Sequence, residues 1–239
     1  MTFAALLVAA GAMGASEVPP YGWERLRSDV RLLATRPLHP DGQGRRQALF
    51  VGAATGGLYL LRDEIRREVR EDRSASRSDL LQRARWMGRG AVAPGLALVA
   101  WGASFVTKEP RERETAQMLL TSAGTAAAIA GAGQFVLATD RPEDGDRIRF
   151  FHGNGHGISM DVSLAASIVP PLRCQYLRVT PQDGRAKRVW KRAAAGLLYA
   201  GAGLTALQRV DDDKHWAPDV FLGLVNGLTV GELLCRPRG

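Results

Sequence analysis

Six apolar segments constrain the fold of this chain most strongly, because each has the length of a helix and none shows the alternation of a strand. They are rich in alanine and glycine, with few runs of β-branched residues, a pattern that favours closely packed helices. We therefore expect an all-α fold, a bundle of about six core helices with peripheral helices around it. The segments are 48–61, 91–106, 116–139, 158–170, 193–207 and 220–235.

The 239 residues are enough for one sizeable domain with a buried core. No internal repeat or low-complexity tail divides the chain, so we expect a single all-helical domain over 21–239, with its core in 48–235. Two stretches outside the apolar segments are also expected to be peripheral helices. Residues 23–35 are short and amphipathic, and the highly charged 62–89 is typical of an amphipathic or solvated helix.

Residues 1–20 contain an apolar run followed by small residues, which resembles a signal peptide cleaved near Gly14 or Ala15. The basic residues that usually precede such a run are missing, so an apolar first helix or a misassigned start is the alternative. A signal peptide would place the protein at the cell envelope, on the extracytoplasmic side.

The apolar segments raise the question of a membrane. A membrane-spanning helix needs about 20 apolar residues, and only 116–139, which contains Gln134, clearly reaches that length. The mean hydropathy of −0.12 is low for a six-span protein, and the distribution of arginine gives no orientation. These features favour a soluble bundle and leave a membrane-embedded bundle as the alternative.

The formal net charge of +8 comes almost entirely from arginine. A basic protein can bind nucleic acid, anionic lipid or phosphate-bearing substrates. We find no nucleic-acid motif and no stripe of arginines with aromatic residues, so nucleic acid is set aside as a partner.

The motif with the most chemistry is Arg-x5-His-x3-Asp, formed by Arg209, His215 and Asp219 just before the last apolar segment. The four-residue spacing puts a carboxylate beside an imidazole on a helix or on the turn leading into it. The carboxylate can fix the ring tautomer and make the histidine a nucleophile or base, and the planar guanidinium suits phosphate. Taken alone, Asp219 could instead serve as a helix cap.

Two further motifs lie at segment ends. Arg141 precedes a proline at the end of the third segment, and Gly155-His156 lies just before the fourth. If successive helices alternate in direction, these ends and the start of the sixth segment share one face of the bundle. This topology predicts one pocket, whose members are Arg141, His156, Arg209, His215 and Asp219.

These residue types together suit phosphoryl transfer. Two guanidiniums hold the phosphoryl oxygens, and backbone N–H groups around Gly155, at a helix N-terminus, would bind the anion. His215 attacks phosphorus and His156 protonates the leaving oxygen, with no metal required. A metal held by His152, His156, His215 and Asp219 is the alternative, which the adjacent arginines disfavour because they repel cations.

The three motifs resemble those of the type 2 phosphatidic acid phosphatase and vanadium haloperoxidase superfamily. That pattern is Lys-x6-Arg-Pro, Pro-Ser-Gly-His and Ser-Arg-x5-His-x3-Asp on an all-helical core, and the resemblance covers roughly 48–235. It implies that His215 is the nucleophile, Asp219 its partner and His156 the general acid. It also implies that Arg141 and Arg209 clamp the phosphate.

The chain departs from that pattern in all three motifs. Gln134 stands at the lysine, Gly153-Asn154 at Pro-Ser, and Gln208 at the serine. The pocket loses the cation of that lysine and the hydroxyl of the Pro-Ser serine, each worth a few kcal/mol in such a site. We expect Gln134 and Asn154 to donate neutral hydrogen bonds to phosphate. Compensating charge could come from Arg147, Arg149 or Lys214.

The sequence thus predicts a metal-independent phosphatase that acts through a phosphohistidine on a phosphomonoester or a lipid phosphate or pyrophosphate. It would need no cofactor, and vanadate would inhibit it. A degenerate phosphate-binding protein is one alternative, and a vanadate-dependent haloperoxidase, for which no halide pocket is evident, is another. The rim that selects the substrate is expected in 62–89 and the N-terminal region.

Cys174 and Cys235 follow the histidine and aspartate motifs at similar distances along the chain. If both intervening segments are parallel helices that begin at the pocket, the two cysteines end at similar depth and could form a disulfide. An oxidising envelope compartment would permit that bond, and two separate buried thiols are the alternative.

Overall fold

The computed structural model describes residues 23–35, 41–71, 74–145, 147–153 and 155–235. The signal-peptide expectation for 1–20 and the assignment of Asn154 to the site lie outside these residues. The described part is all-α, as expected, apart from one short hairpin. Its elements are α1 (Trp23–Thr35), α2 (Gly42–Leu60), α3 (Arg62–Glu71), α4 (Ala75–Ala84), a 3₁₀ turn (Arg85–Gly88), α5 (Val92–Thr107), α6 (Pro110–Val136), β1 (Leu137–Thr139), β2 (Ile148–Phe150), α7 (Met160–Ser167), α8 (Val169–Tyr176), α9 (Arg185–Asp211) and α10 (Ala217–Leu234).

Two segments are broken where the sequence predicted continuous helices. The charged stretch 62–89 forms α3, α4 and the 3₁₀ turn, and the hydroxyl of Ser74 caps α4 by accepting the Arg77 N–H at 3.3 Å. The fourth apolar segment is divided at Ile168 into α7 and α8. Two prolines follow Ile168 and lack backbone N–H groups, so they start a new helix more readily than they continue one.

No pattern in the sequence indicates the hairpin. The third apolar segment ends as a helix at Val136, and β1 pairs antiparallel with β2, with Ala138 opposite Arg149. Strands of three residues are too short for the alternation that identifies a strand in sequence. The hairpin matters because its loop carries Arg141.

Helix α7 lies at the centre of the bundle, with Val162 and Ala165 fully buried. Helix α10 packs directly against it through glycines. A Cβ added to Gly227 would lie 2.3 Å from the carbonyl oxygen of Ser163, so only glycine allows the two backbones to approach this closely. This contact fixes the start of α10 beside the start of α7, where the candidate site lies.

Two helices of the described part, Pro110–Val136 and Ala217–Leu234, are long and apolar enough to cross a membrane. A third apolar unit combines Arg77–Gly88 with α5 and bends by 63°. Much of the apolar surface faces outward, a feature typical of contact with lipid or a partner. The exposed large apolar side chains of α5 and α6 are Leu98, Val99, Trp101, Phe105, Val106, Leu120, Ile129, Phe135 and Val136.

Cys174 and Cys235 form a disulfide, with their Cα atoms 6.0 Å apart. The bond ties the end of α8 to the end of α10. It lies at the opposite end of α10 from Asp219, about 25 Å away at the helical rise per residue.

Candidate active site

The turn between α9 and α10 holds Arg209 and His215 together. The backbone N–H of His215 donates to the carbonyl of Arg209 at 3.2 Å, so the chain reverses within a few residues. Asp213 adopts a left-handed conformation, with φ of 54°, which non-glycine residues adopt infrequently. Its carboxylate is held by Arg66 of α3 at 2.7 Å, which stabilises the turn from outside.

Trp216, the residue after the histidine, joins this turn to the hairpin. Its indole N–H donates to the carbonyl of Asp140 at 3.0 Å, one residue before Arg141. The guanidiniums of Arg62 and Arg66 lie 5.4 and 5.7 Å from the ring centroid, within cation–π range. Helix α3 therefore supports both the histidine turn and the loop of Arg141.

The imidazole of His215 is buried and has two acceptors on one side. Its Nδ1 lies 3.1 Å from the carbonyl oxygen of His156 and 3.8 Å from Oδ2 of Asp219. A proton on Nδ1 satisfies this arrangement and leaves Nε2 with a free lone pair, the form that a nucleophile needs. The sequence predicted that the carboxylate would orient the ring, whereas the His156 carbonyl is the nearer acceptor.

Asp219 also has a structural role. Its Oδ2 accepts the backbone N–H of Trp216 at 3.2 Å, at the start of α10. This bond satisfies one of the N–H groups that a helix start leaves without an intrahelical partner. The cap and the partner of His215 are thus the same carboxylate.

His156 stands edge-on to His215, with ring centroids 6.1 Å apart. Its backbone N–H donates to the carbonyl of Thr139 at 3.0 Å, which attaches the loop to β1. Partial burial lowers the pKa of His156, and the positive charge of Arg141 and the neighbouring His215 lower it further. The free protein therefore keeps His156 neutral near pH 7.

Arg209 lies in the last turn of α9, and its side chain is 11% exposed. Its Nη1 lies 3.2 Å from Oδ2 of Asp161 in the first turn of α7, whereas its buried Nε has no partner. Burial lowers the pKa of Arg209, Asp161 raises it, and the positive charges of Arg85 and Arg141 lower it. Arginine remains charged despite such shifts.

Arg141 lies at the rim, 38% exposed, with its Nη1 3.8 Å from Oε1 of Glu143. The same oxygen accepts from Nζ of Lys214 at 2.7 Å, and that hydrogen bond lowers the pKa of Glu143. Lys214, which the sequence offered as a compensating cation, is thus engaged by Glu143. Arg149, a second such cation, pairs with Asp140.

Gln134 and Gly155 hold the histidine loop in place. The Gln134 amide donates to the carbonyl of Ile158 at 2.8 Å. A Cβ on Gly155 would lie 2.2 Å from Cα of Ala138, so the loop packs against the hairpin only with glycine at this position. The expectation that Gly155 lies at a helix N-terminus is wrong, because α7 begins at Met160.

The structure brings together Arg141, His156, Arg209, His215 and Asp219. It adds three charged groups that the motifs did not indicate, namely Arg85, Glu143 and Asp161. Asp161 had one weak signal, its place a few residues after Gly-His. Within the described residues, no group of three or more His, Cys, Asp or Glu side chains could hold a metal ion.

A separate depression of about 490 Å³ lies at the start of α9. Helix geometry puts it about 35 Å along α9 from Arg209. It is therefore not part of the histidine site. Its lining residues are Asp183, Gly184, Arg185, Arg188, Val189 and Arg192.

The helical bundle, with polar motifs gathered at the ends of α6 and α9 and before α7 and α10, is an all-α fold of the acid phosphatase and haloperoxidase type. The crystal structure of LpxE from Aquifex aeolicus matches it with a TM-score of 0.52, over 73% of this chain and 94% of LpxE. The two sequences are 15% identical, so the likeness shows the fold alone. No protein-family model and no curated protein matches the chain.

Proposed function

We propose that this protein is a metal-independent phosphatase that hydrolyses a lipid phosphate through a phosphohistidine on His215. The observation that carries the proposal is the buried His215, whose Nδ1 faces the His156 carbonyl at 3.1 Å. Among the described residues, none forms a hydrogen bond with its Nε2. Arg141 adds positive charge that acts on both His156 and Arg209. Such an arrangement suits an anion with charge developing in the transition state.

In the first step the substrate phosphoryl group binds between Arg209 and Arg141. Nε2 of His215 attacks phosphorus as the bond to the leaving oxygen breaks. That oxygen takes a proton from the His156 imidazolium, which becomes neutral. The carboxylate of Asp219, 3.8 Å from Nδ1, balances the positive charge that the phosphorylated ring carries.

In the second step water attacks the phosphohistidine and the P–N bond breaks. The neutral His156 takes a proton from that water and regains its charge, so inorganic phosphate leaves and both histidines return to their starting forms. The pKa of His156 is low in the free protein. A bound phosphate dianion raises it, because a nearby negative charge favours the imidazolium.

The apolar surface around the site favours a lipid substrate. Phe135, at the end of α6, contacts Phe151 edge-on with ring centroids 6.2 Å apart, and both are exposed. Phe150 of β2 is exposed beside them, on the hairpin that carries Arg141. With the two span-length helices, this surface suits a headgroup phosphate presented at a membrane, and the LpxE-like fold agrees with a lipid-phosphatase function.

The disulfide supports an extracytoplasmic location for the ends of α8 and α10, which it joins. Disulfides persist in oxidising compartments and are rare in the cytosol, and Cys174 and Cys235 are bonded. The proposal therefore places the protein in or on a membrane of the cell envelope.

A phosphate-binding protein without turnover is the second candidate. It is favoured by the contact of Asp161 with Arg209, at 3.2 Å, which occupies the guanidinium that phosphate needs. It is also favoured by Gln134, whose amide is engaged by Ile158. Such a protein would bind phosphate or vanadate and release no product.

The deciding experiment measures release of inorganic phosphate from phosphatidic acid in detergent micelles and from a soluble aryl phosphate. His215→Ala is expected to abolish release. His152→Ala is the matched control, because His152 is an exposed loop histidine close in sequence to the site. Activity retained in His215→Ala contradicts the mechanism. A parent protein that binds vanadate but releases no phosphate favours the second candidate.

A further inference from the structure

The 3₁₀ turn Arg85–Gly88 is fixed against the site from two sides. On one side, the hydroxyl of Thr205 donates to the carbonyl of Ala84 at 2.9 Å. Thr205 lies one turn before Arg209 on α9. Arg85 directly follows Ala84, so the backbone of Arg85 lies close to the part of α9 that leads into Arg209.

On the other side, the turn contacts the start of α7. A Cβ added to Gly88 would lie 2.7 Å from the carbonyl oxygen of Asp161, so the two backbones touch. Met87 packs on α9, where a Cβ on Gly201 would meet its sulfur at 2.3 Å. Arg85 is thus carried by a turn clamped between the two helices that supply Arg209 and Asp161.

The charged side chains around Arg209 carry a net positive charge. Two other cations, Arg85 and Arg141, lie close enough to act on Arg209. Two carboxylates, Asp161 and Asp212, oppose them, so the three arginines leave a surplus of positive charge. Asp212 accepts from Gln208, and Asp161 pairs with Arg209 itself. Among the described residues, no carboxylate forms an ion pair with Arg85.

We propose that Arg85 binds the substrate phosphoryl group together with Arg209 and Arg141, and that Asp161 is the internal counter-ion which phosphate displaces from Arg209. The inference rests on the proposed function and adds a phosphate-binding residue to the same site. A dianionic phosphoryl group satisfies the cation surplus, and the unpartnered buried Nε of Arg209 gains an acceptor. Arg85 also supplies a third cation to the site, in place of the positive charge that the neutral Gln134 amide lacks.

The test measures binding of inorganic phosphate by calorimetry to the full chain in detergent, with three substitutions at two positions. Arg85→Gln is expected to weaken phosphate binding by about tenfold to a hundredfold, the worth of one charge-assisted contact. Arg85→Lys should recover most of the affinity. Asp161→Asn should strengthen binding several-fold, because Arg209 no longer has a competing carboxylate.

Arg83→Gln is the matched control, since Arg83 is an exposed arginine two residues away, in the last turn of α4. It should bind phosphate within about twofold of the parent, and melting temperatures without phosphate should match for both glutamine variants. The proposal is overturned if Arg85→Gln binds like the control, if lysine restores nothing, or if Asp161→Asn binds phosphate no better than the parent.

The binding assay separates this inference from the proposed function. Repeated in the His215→Ala background, it reports on Arg85 even if the parent never hydrolyses an ester. An active parent with unaltered phosphate binding in Arg85→Gln overturns the role of Arg85 alone. An inactive parent with weakened binding in that variant overturns turnover and supports the role of Arg85.

Discussion

The backbone carbonyl of His156 lies 3.1 Å from Nδ1 of His215, closer than the carboxylate four residues along α10. One candidate catalytic histidine therefore orients the other through its main chain, independently of its own side chain. Substitutions at His156 leave this bond in place, because the carbonyl belongs to the backbone.

Asp219→Asn is expected to lower kcat by about a hundredfold, less than His215→Ala, which should abolish turnover. The reason is that the His156 carbonyl still holds Nδ1–H, while the charge that balances the phosphorylated ring is lost. The measurement is kcat for phosphate release, with the melting temperature as a control for the helix start. Equal losses in both variants would show that the carbonyl does not orient the ring.

The pH profile is expected to depend on His156. Its imidazolium must donate a proton, so kcat/KM falls as pH rises through its pKa in the free enzyme, which lies below the ordinary value of 6.5. The corresponding fall in kcat should occur at higher pH, because bound phosphate raises that pKa.

His156→Gln should remove this basic limb from both profiles, and rates measured from about pH 4.5 to 8.5 test it. A limb that persists unchanged in the variant contradicts the assignment of the general acid. His152→Ala provides the control profile, because no role in the mechanism depends on His152.

Sequence patterns can predict the parts of the candidate site whose geometry is local or follows from helix order. Arg209, His215 and Asp219 lie on one turn and one helix start, and Arg141 and His156 joined them through alternating helix direction. Arg85 and Asp161 could not be found this way, since their proximity depends on how the 3₁₀ turn packs between α7 and α9. The hairpin was missed because strands of three residues carry no periodic signal.

Gly227→Ala is expected to destabilise the fold by about 1–3 kcal/mol, because the added Cβ would lie 2.3 Å from the Ser163 carbonyl oxygen. Separating α10 from α7 should also lower activity, since both helix starts border the site. Thermal unfolding measures the effect. The control is Gly203→Ala on exposed α9 surface, with nothing within 4 Å, which should be neutral or stabilising. Equal melting temperatures for the two variants would contradict the close helix contact.

Removing the disulfide with Cys174→Ser and Cys235→Ser together is expected to reduce the free energy of unfolding by about 2–4 kcal/mol. The bond closes a loop with a sequence separation of 61, so its loss enlarges the unfolded ensemble. Phosphate release well below the melting temperature should be within about twofold of the parent, because the bond lies at the other end of α10 from Asp219. Thermal unfolding measures the loss of stability, and the rate of phosphate release measures activity. Thiol labelling of the untreated protein is the control for the disulfide. Free thiols in protein taken from an oxidising compartment, or a large loss of activity in a folded double variant, would contradict this assignment.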